Sequence, residues 1–366
     1  MSRTGRSTIA VAGGGINGVM SAWALAAAGH EVELFERGRL MGETSSASTK
    51  LIHGGLRYLE NGEFGLVRES LRERSWWLAK APHLARPLGL ILPVYRGISR
   101  NRLILGLGLR LYDLLAGRHN IGRHAWLPRT ELMARAPALK PEGLQGGFLF
   151  YDVQMDDRLL GLWAADQARA AGVTIHEQRP VESLAADGTF RADGPRRADL
   201  VVNAAGPWSH QLLERSGLAA RHQLDLVRGS HLVLDRPQPD GYFLQVPGED
   251  RICFVLPWQG RTLLGTTEVR QGLEEPIACS EAEERYLLDV FASAFREAAG
   301  AAEICGRFAG LRPLVDSGRT NPGRTTREYA LELEGRVLTV FGGKWTTARV
   351  LGEKVRRQAE QVLAER

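Results

Sequence analysis

The chain has 366 residues, 44% of them hydrophobic and 24% charged, which points to a folded protein of two domains and excludes disordered, collagen-like and coiled-coil classes. Its three cysteines, Cys253, Cys279 and Cys305, form no CxxC pair. Neither a disulfide scaffold nor a zinc site is indicated, no metal is expected, and a reducing cytoplasm fits. A net charge of +5 and a pI near 9.3 admit an acidic partner, whether a phosphorylated metabolite, an anionic membrane or nucleic acid. No basic stretch interleaves aromatic residues or reads as a helix-turn-helix, so no nucleic acid partner is expected. Lysine supplies only five of the 47 basic side chains, a bias of composition rather than of function.

No cleavable signal or membrane span is apparent, because the one long apolar stretch, 9–29, is broken by Gly13-Gly14-Gly15 and Gly18. That stretch reads instead as a buried strand over 8–12, a glycine turn and a helix over 19–28, with a second strand over 31–36. Gly13, Gly15 and Gly18 stand at G-x-G-x-x-G spacing. In that pattern the first glycine turns the chain, the second admits a pyrophosphate, and the third lets helix pack on strand. Helix-start N–H groups, Asn17 among them, then face the phosphates. Glu36, 21 residues past Gly15, is placed to accept ribose hydroxyls. Its carboxylate would repel a 2′-phosphate, which disfavours NADP and leaves NAD and FAD open.

The next block, 42–59, carries five hydroxyl residues within six positions, Thr44, Ser45, Ser46, Ser48 and Thr49. Lys50, His53, the pair Gly54-Gly55, and Arg57-Tyr58 follow. A solvated loop is the plain reading. The alternative is a cradle of small donors for a pyrophosphate or a flavin edge, with the glycines passing close to a flat ring.

SSASTKLIHGGLRYLE, preceded by GGGINGVMSAWALAAAGHEVELFE, closely resembles the FAD-dependent glycerol-3-phosphate dehydrogenases. The resemblance continues in EFGLVRESLRER, APHLARPLGLILPVY, DLVVNAAGPW, LVRGSHLVL, GRFAGLRPL and FGGKWTTAR, over about residues 8–350. It implies an α/β chain: a Rossmann-like FAD-binding domain over 1–85, 140–215 and 305–366, interleaved with a substrate or cap domain over 86–139 and 216–304 built on an antiparallel sheet. It implies non-covalent FAD contacted by Gly13, Gly15, Asn17, Gly18, Glu36, Thr44, Ser45, Ser46, Ser48, Thr49, Lys50, Gly54, Gly55, Ala205, Gly206, Gly342, Gly343, Lys344, Thr346 and Thr347. It further implies that Arg57, Tyr58, Arg327 and Lys344 hold a substrate phosphate, and that Arg312 meets the reacting oxygen.

The remaining elements read in order. A helix spans 66–79 and ends at Pro82. Between Arg86 and Ala136 nine arginines face two acids around the leucine-rich stretch 103–115. Such a basic amphipathic surface suits an anionic membrane, and a core helix with solvated arginines is the alternative. The expected location is therefore the cytoplasm, with peripheral contact on the inner face of a membrane. A parallel strand over 199–206 returns to the first domain, and strands near 224–234, 242–246, 252–257 and 262–265 form the second sheet, with turns at Gly248 and Gly260. A helix over 280–298 opens with Ser280 and Glu283 at capping-box spacing. A strand over 337–341, the Gly342-Gly343 turn and a last helix from 345 complete the chain.

Oxidation of a hydroxyl needs a proton acceptor. Arginine stays protonated, so His231 and His53 are the candidates, with core packing the other reading for each. The resemblance implies oxidation of sn-glycerol 3-phosphate to dihydroxyacetone phosphate, with electrons passed to a quinone. The alternatives are a flavin oxidase of another small hydroxy acid or amine, and a non-catalytic flavin-binding subunit. The sequence departs from the family pattern at Thr49, Glu328 and Trp345. Relatives also commonly carry a further helical domain, so the oligomeric state is left open.

Overall fold

The structure, a computed structural model, describes residues 6–316 and 329–365. The strand Thr8–Ala12 lies inside a six-stranded sheet, parallel to Glu31–Phe35 on one side and to Leu200–Asn203 on the other. Thr174–His176 and Val337–Gly342 extend the parallel set, and Tyr329–Glu334 pairs antiparallel at the edge. Period-two alternation explains why this strand needs no polar face. Ile9 and Val11 pack with Val19 and Leu25 of the helix Ile16–Ala27, with Leu160 of Asp157–Ala170 and with Leu351 and Val355 of Ala348–Ala364. Ala10 and Ala12 point the other way, against Phe35, Phe190, Leu213 and Phe341. A strand buried on both sides reads as a continuous apolar run, which is what residues 8–12 show.

The second sheet has ten strands, eight of them in one continuous hydrogen-bonded path and two paired alongside it. It contains Leu224–Leu234, Gly241–Gln245, Ile252–Trp258 and Arg261–Gly265, within a few residues of the expected bounds. On one face Leu232, Tyr242 and Leu264 meet Leu287 and Phe291 of the helix Glu281–Ala294. That helix starts with a complete Ser280–Glu283 capping box. On the other face Leu90, Leu92, Phe148 and Phe150 meet Leu109 of the helix Arg102–Ala116.

Two expected domain boundaries do not follow the sheets. Leu144–Met155 runs antiparallel to the whole of Ala85–Tyr95, and Ile304–Val315 to the whole of Leu224–Leu234. Both therefore belong to the second sheet. The physical reason is length: strands of 12 residues must satisfy their backbone groups along a partner, and the short cofactor-side strands offer none that long.

Helix Phe64–Lys80 is tied to the last helix by a carboxylate with no exposed surface. Glu73 accepts from Arg349 Nε at 2.8 Å and from Nη2 at 2.6 Å. Arg349 is partly exposed, and Arg72 Nε stays 3.6 Å from Glu73 Oε1. Arg349→Ala is therefore expected to lower unfolding free energy by about 1–2 kcal/mol, the scale of hydrogen bonds lost by a buried carboxylate, and adding Glu73→Gln to recover much of it, measured by denaturant melts. Additive losses in the double variant would contradict the coupling.

Candidate active site

Gly13 leaves the first strand at a φ of +114°, and a Cβ there would strike the Ala204 carbonyl. A Cβ on Gly18 would collide with the Gly13 carbonyl, so helix and turn pack backbone to backbone. The helix Ile16–Ala27 has no acidic side chain in its first turn and no side-chain cap from Gly15. Its positive end is open to an anion, except where Ile16 N donates to Ser45 Oγ at 3.0 Å. Asn17 Nδ2 donates to Gly342 O at 3.2 Å, while its Oδ1 is buried with no partner among the described residues. Glu36 accepts from Gly14 N at 2.6 Å and Gly38 N at 2.7 Å, which leaves each oxygen a lone pair for a ribose hydroxyl.

The hydroxyl block folds as a tight turn, Thr44–Ser46, pinned by distant residues. Thr44 Oγ1 donates to Leu311 O at 2.7 Å, and Trp345 Nε1 donates to Ser45 O at 2.9 Å. Asp157, fully buried, accepts from Ser48 Oγ at 2.7 Å and from Lys50 Nζ at 2.7 Å. Lys50, expected at the cofactor, is thus held beneath the turn, because a buried ammonium requires a counter-charge. Neither Asp157 nor the indole of Trp345 stands out in the sequence: one follows an ordinary strand, and the other occupies a position where the pattern varies.

At the other end, Gly55 turns the chain in the left-handed region and Tyr58 packs over it. Lys344 Nζ lies 4.1 Å from the Tyr58 ring centroid, and the His53 ring 6.3 Å from it. That ammonium is shut off from solvent and finds no hydrogen-bond acceptor among the described residues. Arg57 Nη2 donates to Asp250 O at 3.1 Å. Arg312 Nη2 donates to Thr266 Oγ1 at 2.9 Å and Thr267 O at 3.0 Å, and its Nη1 lies 3.5 Å from Glu268 Oε1. Glu268 is a site carboxylate that no motif announces.

One cavity of about 1300 Å³ joins the two ends. It is lined by Gly13, Gly15, Asn17, Glu36, Thr44, Ser45, Ser48 and Thr49, by Ala205, Gly206, Gly342, Gly343 and Thr346, and by His53, Gly55, Arg57, Tyr58, His231, Arg312 and Lys344. Gly18, Ser46, Lys50, Gly54 and Thr347 stand behind the lining, and Arg327 lies outside the described residues. The volume exceeds the ~300–1,000 Å³ of common ligand pockets. With the open helix end and the orphaned Asn17 Oδ1 and Lys344 Nζ, it fits a dinucleotide together with a small anion.

His231 is buried, stacks on Phe308 at 4.8 Å, and has Nε2 3.0 Å from Thr49 Oγ1. Burial, reinforced by Arg312 and Lys50, holds its pKa well below the ordinary 6.5. The stability linked to this depressed pKa is present above pH 6.5 and lost as pH falls toward the folded-state value. His231→Asn should flatten the fall in melting temperature between pH 6.5 and about pH 5; an unchanged slope would contradict a buried neutral imidazole.

Similarity to known proteins accords with this geometry. The FAD dependent oxidoreductase family matches residues 8–356. The glycerol-3-phosphate dehydrogenase of Pseudomonas aeruginosa is 39% identical, over 97% of this chain and 72% of that protein. The D-erythritol 1-phosphate dehydrogenase of Brucella abortus is 36% identical, over 94% and 72%. The crystal structure of the glycerol-3-phosphate dehydrogenase from Bacillus halodurans complexed with FAD superimposes with a TM-score of 0.79 at 25% identity, over 98% of this chain and 65% of that one. The chain belongs to the FAD-dependent oxidoreductase family and, within it, to the glycerol-3-phosphate dehydrogenases, with FAD as its cofactor.

Proposed function

We propose that the protein oxidises sn-glycerol 3-phosphate to dihydroxyacetone phosphate and passes the electrons to a quinone. The observation that carries this reading is the buried ammonium of Lys344 beside Tyr58, without an acceptor among the described residues and in the same cavity as the dinucleotide turn. A phosphate dianion supplies the missing partner, whereas a neutral substrate would leave a desolvated cation unpaired. Arg57, and by resemblance Arg327, add guanidinium forks suited to phosphate. Bound without a covalent link, FAD supplies the two-electron acceptor for the hydride from the substrate carbon.

The chain's own groups do the rest. Arg312, oriented by Thr266 and Thr267, stabilises negative charge on the reacting oxygen. His231 is neutral, so one ring nitrogen can accept the hydroxyl proton. A second reading, oxidation of a longer phosphorylated polyol, is favoured by Glu268, which lines the cavity beside Arg312 and can accept further hydroxyls. Under anaerobic conditions glycerol 3-phosphate should bleach the bound FAD. Faster bleaching by erythritol 1-phosphate would select the second reading, and bleaching only by amines or unphosphorylated hydroxy acids would refute both.

We further propose peripheral contact with an anionic membrane through the helix Arg102–Ala116. Leu103, Ile104, Leu107 and Leu114 are 74%, 65%, 68% and 76% exposed, and Arg102 and Arg110 share the helix. No helix among the described residues is long and apolar enough to cross a membrane. Co-sedimentation with anionic phospholipid vesicles should fall on Leu103→Gln with Leu107→Gln and in high salt; unchanged binding would count against this surface.

A further inference from the structure

Behind His53 and Gly55, at a point of the cavity wall that Asp152 itself lines, lies a buried polar cluster that the chemistry described above does not use. Asp152 Oδ1 accepts from Gly54 N at 3.0 Å, from Arg74 Nη1 at 2.7 Å and from the Tyr112 hydroxyl at 2.8 Å. Arg74 Nη1 also donates to Tyr151 O at 2.8 Å. Asp152, Arg74 and Tyr112 are 3%, 1% and 2% exposed. Three donors on one carboxylate oxygen in a dry setting define one geometry, and each pays a desolvation cost if it is lost.

The cluster has a direction. Tyr112 belongs to the surface helix Arg102–Ala116, Arg74 to the helix Phe64–Lys80, and Asp152 to the strand Leu144–Met155. Arg74, Tyr112 and the amide of Gly54 all converge on Asp152 Oδ1. A Cβ at Gly54 would overlap the Tyr112 hydroxyl and Leu71, so the turn is seated directly on that hydroxyl. Immediately beyond it come His53, Gly55, Arg57 and Tyr58, which line the cavity. Burial and the neighbouring carboxylate raise the Tyr112 pKa well above 10, so the hydroxyl keeps its proton and stays a donor.

We propose that Asp152, oriented by Tyr112 and Arg74, is a positioning residue that fixes the Gly54-Gly55 turn and through it the placement of His53, Arg57 and Tyr58. The surface helix is thereby tied to the substrate end of the cavity through one phenolic hydroxyl. Neither Asp152 nor Tyr112 touches the reacting atoms in this role.

The test is Tyr112→Phe, which keeps the ring and removes the donor, studied in the FAD-loaded protein. Amide hydrogen exchange across 53–58, followed by mass spectrometry, should rise about tenfold while the strand Leu144–Met155 keeps its protection. The KM for glycerol 3-phosphate should rise about tenfold with kcat within about twofold, as loss of substrate placement without loss of chemistry requires. If Tyr112→Phe yields no folded protein, Asp152→Glu keeps the negative charge that Arg74 needs but shifts the acceptor away from Gly54 N, and should raise the same exchange. Parent-like exchange across 53–58 in a folded variant overturns the proposal. The kinetic arm rests on the proposed substrate and the exchange arm does not. Failure of the parent to reduce its flavin with phosphorylated polyols would refute that substrate reading, and the exchange result alone would then decide the positioning role.

Discussion

A lysine ammonium closed off from water, with an aromatic face on one side and no acceptor among the described residues, is the constraint on which the site depends. Isolated buried charge is among the costliest arrangements in a protein interior, and a cation–π contact of roughly 0.5–2 kcal/mol offsets only part of it. The contrast with Lys50 is instructive. There the fold supplies Asp157 at 2.7 Å, and the ammonium becomes part of the scaffold. At Lys344 the described residues supply a tyrosine ring and an open cavity that a bound anion can enter.

The cavity wall is assembled from segments remote in sequence. Strand Ile304–Val315 runs along the second sheet, then brings Gly310 against Ala47, Leu311 O to Thr44, and Arg312 into the cavity. Trp345, just before the last helix, closes back onto Ser45 and packs 5.0 Å from Trp77. Each contact secures the hydroxyl turn from a different side. The turn can then present backbone groups to a cofactor without a helix or strand of its own, since rigid neighbours supply the preorganisation that the local chain lacks.

Much of this was legible in the sequence because it depends on local chemistry. Glycine spacing marks the first turn, period-two patterning marks the strands, and Ser280 with Glu283 marks a helix start. Motif resemblance adds Arg57, Tyr58, Arg312 and Lys344, and all four line one cavity. The rest rests on contacts that spacing does not encode. Lys50 follows the hydroxyl run, and nothing in that run announces its carboxylate partner 107 residues away. Leu144–Met155 and Ile304–Val315 joined the second sheet because strand partners are chosen in three dimensions. The stretch around Leu103 left core packing and surface exposure open, and the fold exposes its apolar face. Asp152, Asp157 and Glu268 are single acids in unremarkable surroundings, and only the folded chain shows what meets them.

The central claim is that Lys344 awaits an anion. Its most direct test is a calorimetric titration of the FAD-loaded protein with glycerol 3-phosphate, comparing the parent with Lys344→Met. The account predicts a loss of dianion affinity of about tenfold to a hundredfold, the usual scale of a hydrogen bond to a charged group, with FAD affinity changed far less. Equal affinity for glycerol 3-phosphate in the two proteins would contradict it.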